Sequence, residues 1–345
     1  MAMKKIIFSL FIVIFLVSCA TNNSFDLHTS IQEEYLNSPY DTATLYAKGV
    51  EENSKPQSFD ISWKESVGPY VVHLSSSQGD FTYKTDNTHF SFDNLLLGEK
   101  YSYFVFDRNG KEIIKNKEFE TSFHAPRLIN VQGVTNVRDI GGWITESGKR
   151  VKQGLIYRSG RFNENNSKEP LITEEGKSIV VNELKIKTEL DLRKTSDGEN
   201  GGLENSVIGD EVKYISLPMK TGGNYLVLNV DTLPQLFEIL KDEDNYPIVY
   251  HCSIGTDRTG MVTFILNGLL GVGVDDLYRD YLFSNFGYIT ALRTKNAIKD
   301  YVLYMNRFKG NTLSERIESF LIENGVEENS INSFKNIMLG GVIKR

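Results

Sequence analysis

Two cysteines, two tryptophans and five histidines are all that 345 residues hold of these types, and each scarcity removes a class of protein. With Cys19 and Cys252 alone, no disulfide framework and no cysteine-rich zinc module is open to the chain. His28, His73, His89, His124 and His251 show no metal-ligand spacing, so no metal and no cofactor is expected. Positive charge is not in excess. The formal net charge is −7, which argues against a nucleic-acid partner. No internal repeat and no low-complexity tract appears. The most apolar stretch, Ile6–Val17, is too short to cross a bilayer.

That stretch has another reading. Lys4 and Lys5 precede it, and Leu16-Val17-Ser18-Cys19 follows the pattern of a lipoprotein signal, so residues 1–18 are expected to be a cleaved signal and Cys19 the lipidated residue. The protein would then be exported and anchored to a bacterial membrane, on the periplasmic face or the cell surface. Cys252 would be its one free thiol, and a lone thiol in an oxidising compartment suggests reactivity. Without its signal lysines the mature chain carries −9.

Beyond the signal the texture changes twice. Residues 19–40, rich in Ser, Asn and Thr, read as a tether. From 41 to 125, seven short alternating segments (ATLYAKGV, SFDISWK, YVVHLS, FTYKT, HFSFD, YSYFVFD and IIKNKEFET) argue for a small all-β sandwich, with Asp107-Arg108-Asn109-Gly110 as a hairpin turn. From 126 to 345, strand candidates LIYRS, KTELDLR, KYISL and PIVYH alternate with helix candidates at 173–184, 231–240 and 258–270. Alternation of this kind implies an α/β fold, a mostly parallel sheet flanked by helices, with ligands at the carboxyl ends of its strands.

The chemistry gathers at His251–Gly260, HCSIGTDRTG. A strand ends at His251 and a helix begins near Arg258, so the loop between them lies where unpaired N–H groups and the helix dipole favour an anion. Cys252 at the start of that loop should be held as a nucleophilic thiolate. Arg258 can take two phosphoryl oxygens at once, Gly255 permits the tight turn, and Thr259 can donate its hydroxyl to the sulfur.

These residues resemble the signature loop of the cysteine-dependent protein tyrosine phosphatase superfamily, HCxxGxxR followed by Thr-Gly. A rhodanese-like or arsenate-reductase-like loop also sets a cysteine before an anion-binding turn, but the flanking His and the Arg-Thr-Gly favour the phosphatases. Asn136–Gly142 (NVRDIGG), Tyr157–Arg161 (YRSGR), Glu189–Arg193 (ELDLR) and Asp280–Asn285 (DYLFSN) extend the likeness to one branch, the bacterial atypical dual-specificity and phosphoinositide-phosphatase-like enzymes. Trp63 and Tyr101 resemble the core tryptophan and tyrosine corner of a fibronectin type III or immunoglobulin-like module. Thr256 stands where the branch carries lysine, which argues against substrates bearing several phosphates, unless Arg161 or Lys194 restores the charge.

The resemblance implies a phosphoric monoester hydrolase acting through a cysteinyl-phosphate, with phosphotyrosine as the first substrate. Cys252 and Arg258 are the expected catalytic pair. No Trp-Pro-Asp loop is present, so Asp257 is the leading general acid and Asp191 the runner-up. Ser253, Ile254, Gly255, Thr256, Thr259 and Gly260 are expected to cradle phosphate. Arg138 and Asp139 either touch phosphate or pair with each other beside the loop. Asp197–Gly202 reads as a mobile loop or a border of the pocket. Two other functions stay open: a phosphoinositide or inositol phosphate phosphatase, and a non-catalytic surface lipoprotein that binds phosphorylated ligands.

Overall fold

The computed structural model describes residues 24–40, 53–165, 167, 169–196, 198–199, 201–288 and 291–340. Cys19, the signal and the expected first strand at 43–50 lie outside them. Six strands follow: β1 (Phe59–Ser62), β2 (Tyr70–Ser76), β3 (Gly79–Thr85), β4 (His89–Phe92), β5 (Lys100–Phe106) and β6 (Glu112–Glu120). They form an antiparallel pair, β1-β4, and an antiparallel four-stranded sheet in the order β3-β2-β5-β6. In β2, alternation buries Tyr70, Val72 and Leu74 on one face. The expected turn at Asp107–Gly110 joins β5 to β6, with Gly110 at φ +78°.

Residues 24–40 are not a free tether. Ser30–Leu36 is a helix whose Thr29 and Gln32 form a capping box, and Tyr35 is fully buried against Phe283 and Phe286. The apolar Tyr35 and Leu36 overrode the polar composition around them, because they could be buried on the helices of the second half.

A second sheet has the order β10-β9-β11-β8-β7, with β7 Arg138–Asp139, β8 Ile156–Ser159, β9 Thr188–Asp191, β10 Lys213–Ser216 and β11 Ile248–His251. Strands β8 to β11 are parallel and β7 is antiparallel to β8. Four expected strands thus fall in place within a residue or two. The central strand β11 is buried along its whole length, as its unbroken apolar run requires. Its register places Ser159 and Asp191 beside His251. The expected helix at 173–184 opens as an α-helix, Glu174–Ser178, and widens into a π-helical turn at Ile179–Glu183.

The helix after β11, Asp257–Leu269, is buried from Arg258 to Leu269. A helix buried on all sides lies inside the fold, and its polar Thr263 and Asn267 bond within the fold, to Thr259 O and Ile140 O. Gly268 allows the close approach of the helix Leu313–Glu323, since a Cβ there would stand 2.5 Å from Ile317. One continuous apolar cluster joins Tyr35, Val72 and Val105 to Phe264, Phe283 and Met338.

Candidate active site

Strand β11 delivers Cys252 to the mouth of the sheet, where the chain turns into the loop 252–258 before the buried helix. Gly255 has φ +70°, and a Cβ there would lie 2.6 Å from the Ser159 carbonyl group, so only glycine fits the turn. The loop carbonyls are all held from behind. Arg161 Nη1 donates to Ser253 O (3.1 Å), Asn136 Nδ2 to Ile254 O (3.3 Å) and Gly255 O (2.9 Å), and Arg158 Nη2 to Gly255 O (2.8 Å). With those carbonyls engaged, the N–H groups of Ser253–Arg258 donate to no protein acceptor among the described residues. Such a nest at a helix start is an anion site.

Cys252 is buried at its base. Burial pushes the thiol up, but the Arg258 charge and then the hydroxyl and N–H of Thr259 pull it down, and the net pKa lies below the ordinary value. The Thr259 hydroxyl has no oxygen or nitrogen partner among the described residues, which leaves it for the sulfur.

Arg258 is itself gripped. Its Nη1 and Nη2 donate to the Glu199 carboxylate at 2.8 and 2.5 Å, and Nη1 also to Leu192 O. Glu199 accepts further from Ser253 Oγ and the Lys194 N–H. Burial pushes the Glu199 carboxyl up, yet these bonds, Arg258 first, hold it below the usual range. The Nε edge of Arg258 donates to no protein group among the described residues, so the clamp leaves one edge for an oxyanion. Of the stretch 197–202, Glu199 borders the pocket. Its place in a Gly-rich loop at a strand's carboxyl end was the signal for it.

The cavity above Cys252 has a volume of about 380 Å³ and is lined by Arg161, Glu199, Tyr225, Cys252, Asp257 and Tyr288 among others. Asp257 holds a bidentate pair with Arg293 (2.9 and 2.9 Å) and accepts from Tyr281 Oη (3.1 Å). Asp257 thus lies on the wall as expected, whereas Arg293, Tyr225 and Tyr288 carried no motif by which sequence could have found them.

Several expected contacts fall elsewhere. Thr256 is fully buried with its hydroxyl 3.4 Å from Ile254 O, so it does not present a side chain to the cavity. Gly260 packs on Tyr281, where a Cβ would come within 2.7 Å of the ring. Asp191 is buried away from the cavity, paired with Arg193 (2.7 Å) and accepting from Tyr214 (2.8 Å).

Arg138 and Asp139 neither pair with each other nor line the cavity, because neighbours on a strand point to opposite faces. Asp139 takes Arg127 (3.1 Å), while Arg138 takes Asp280 (3.0 Å), which also binds Arg158 (2.5 Å). Asp280 thereby steadies the arginine that holds Gly255 O. His251 donates toward Glu189 (2.9 Å), fixing the strand end behind the cysteine. Among the histidines, His28 and His124 converge with Asp26, a grouping that spacing along the chain does not reveal.

Residues 129–323 match the model of the tyrosine phosphatase family, and the chain belongs to that family. It is a phosphatase, a hydrolase of phosphorylated substrates. A putative tyrosine-protein phosphatase of Cupriavidus necator is 27% identical over 194 residues, 47% of this chain and 67% of that protein. Among solved structures, the core catalytic domain of the PP-IP phosphatase Siw14 from S. cerevisiae has 20% identity and a TM-score of 0.30, covering 44% of this chain and 93% of that one. TpbA of P. aeruginosa has 17% identity and a TM-score of 0.30, over 48% and 86%.

Proposed function

We propose that this phosphatase is an exported, lipid-anchored enzyme that hydrolyses phosphate monoesters, phosphotyrosine first, through a cysteinyl-phosphate on Cys252. The observation that carries the reading is the run of N–H groups without a protein acceptor beside a buried thiol of lowered pKa, closed by the free edge of Arg258. The thiolate attacks phosphorus, a P–S bond forms and the ester P–O bond breaks. Asp257 passes a proton to the leaving oxygen. Water then attacks, Asp257 takes its proton, the P–S bond breaks, and inorganic phosphate leaves with the thiolate restored. Charge on the equatorial oxygens is held by donors already in place.

Tyr225 and Tyr288 on the cavity wall suit an aryl ring. Glu199 and Asp257 put negative charge beside the loop, where Arg161 and Arg258 are the cations lining the cavity among the described residues, an arrangement that favours one phosphate over several. Turnover of phosphotyrosine peptides, phosphoinositides and inositol phosphates side by side tests the preference. Faster hydrolysis of phosphoinositides than of phosphotyrosine would overturn it.

Export and anchoring rest on Lys4, Lys5, the apolar stretch and Cys19. Fatty-acid labelling of the chain in its host, lost in Cys19→Ser, is the expected result, and an unlabelled wild type would overturn it. The β-rich region is read as a fibronectin type III or immunoglobulin-like domain at 41–125, ahead of the phosphatase-like catalytic domain at 126–345. Its support is Tyr101, whose hydroxyl accepts from the Leu96 N–H (2.8 Å), the bond that a tyrosine corner makes.

A further inference from the structure

We propose that Asp26, His28 and His124 form a binding site for one zinc-class divalent cation, apart from the catalytic cavity, that fastens the N-terminal segment to the chain around His124–Pro126. Ligand atoms of Asp26, His28 and His124 all lie within 4.8 Å of one another. His28 is fully buried, and both of its ring nitrogens face oxygen: Nε2 meets Pro126 O at 2.9 Å and Nδ1 meets Asp26 Oδ1 at 2.8 Å. A carbonyl only accepts, so Nε2 carries the ring proton. In the neutral ring Nδ1 then presents a lone pair toward a carboxylate, an arrangement that calls for a cation at that point.

A proton on Nδ1 would satisfy that pair alone. One other group would be left over. His124 Nδ1 is 3.7 Å from Asp26 Oδ2, too long for a hydrogen bond. A metal ion accounts for all three at once. Two imidazoles and one carboxylate leave the fourth place of a tetrahedral set to water, and imidazole selects zinc-class ions over calcium or magnesium. The bond from His28 Nε2–H to a backbone carbonyl is the outer contact that fixes the tautomer and aim of a metal-binding histidine. His124 and Asp26 are partly exposed, at 34% and 23% of their side chains, which gives the ion a way in.

The ion would join two places distant in sequence: the segment before the N-terminal helix through Asp26 and His28, and His124 after β6. None of these residues lines the cavity of Cys252. The site is accordingly expected to act on stability and to leave turnover at room temperature unchanged.

The test is calorimetric titration of the untagged, chelator-treated chain with zinc chloride, and with calcium chloride in parallel, in a Cys252→Ser background so that the thiolate does not compete. One equivalent of zinc is expected, without calcium binding. Affinity should fall at least about tenfold in His28→Gln and in His124→Gln, and zinc should raise the melting temperature of the parent but not of the variants. His124→Gln, at the exposed rim, supplies the answer if circular dichroism shows that His28→Gln does not fold. A folded parent that takes up no stoichiometric zinc, or zinc affinity unchanged in His124→Gln, would overturn the site.

Discussion

Replacing Glu199 by glutamine tests how the phosphate-binding arginine is held. In the structure both terminal nitrogens of Arg258 end on the Glu199 carboxylate, and the side chains are 5% and 15% exposed, so solvent screens the pair little. Glutamine keeps one acceptor oxygen but turns an amide NH₂ toward the other nitrogen. One charge-assisted hydrogen bond is lost, at a cost of about 1.5–3 kcal/mol. If that cost falls on the transition state, kcat/KM drops about 10- to 150-fold. The assay is steady-state hydrolysis of p-nitrophenyl phosphate and a phosphotyrosine peptide, with melting temperature measured alongside to exclude unfolding.

A pH series adds a sign. The Glu199 carboxyl is depressed in the folded chain, so its contribution is complete above the unfolded value of about 4.3 and is lost as pH falls through the lower folded value. Glu199→Gln and wild type should therefore converge in stability only in acid. A variant whose kcat/KM equals or exceeds that of wild type would refute the clamp and mean that Glu199 competes with phosphate for Arg258.

Three other outcomes are expected. Asp257→Asn should slow esters with poor alkyl leaving groups far more than p-nitrophenyl phosphate, whose leaving group hardly needs a proton; equal losses would instead assign Asp257 to loop positioning with Arg293 and Tyr281. Iodoacetamide alkylation of Cys252 should reach half its maximal rate below the ordinary thiol value of about 8.5, and Arg258→Gln should move that midpoint upward, because the Arg258 charge is the strongest influence lowering it; an unmoved midpoint would contradict the electrostatic reading. Tyr35→Ala should cost about 3 kcal/mol in chemical denaturation, and a chain cut back to residues 127–345 should be destabilised likewise because Phe283 and Phe286 lose their cover; unchanged stability in both would restore the free tether.

What could be read from sequence follows from how local each feature is. The loop 252–258 is legible because strand, turn and helix start are contiguous, and the same ten residues supply nucleophile, turn glycine and arginine. The parallel strands are legible because each is a short segment between helix candidates, and β8, β9 and β11 are buried along their whole length. Arg293 was hidden, since it reaches the site from a separate segment and nothing in its own neighbourhood marks it, while Glu199 was marked only by its place in a Gly-rich loop at the end of β9. Asp191, Arg138 and Asp139 drew attention as charged residues in motifs, yet each is sealed in a buried ion pair that shapes the site from outside it. Thr256 misled for a related reason: one residue's rotation in a tight turn decides whether a side chain enters the cavity or the core. The helix at Ser30–Leu36 depends on Tyr35 finding Phe283 and Phe286 far along the chain.

The covalent step is tested most directly by quenching the enzyme in acid within milliseconds of mixing with p-nitrophenyl phosphate and mapping its peptides by mass spectrometry. A single phosphoryl group on the peptide that carries Cys252, absent from Cys252→Ser, is the expected result. Undiminished turnover by Cys252→Ser, or a wild-type burst with no phosphoryl group on that peptide, would contradict it.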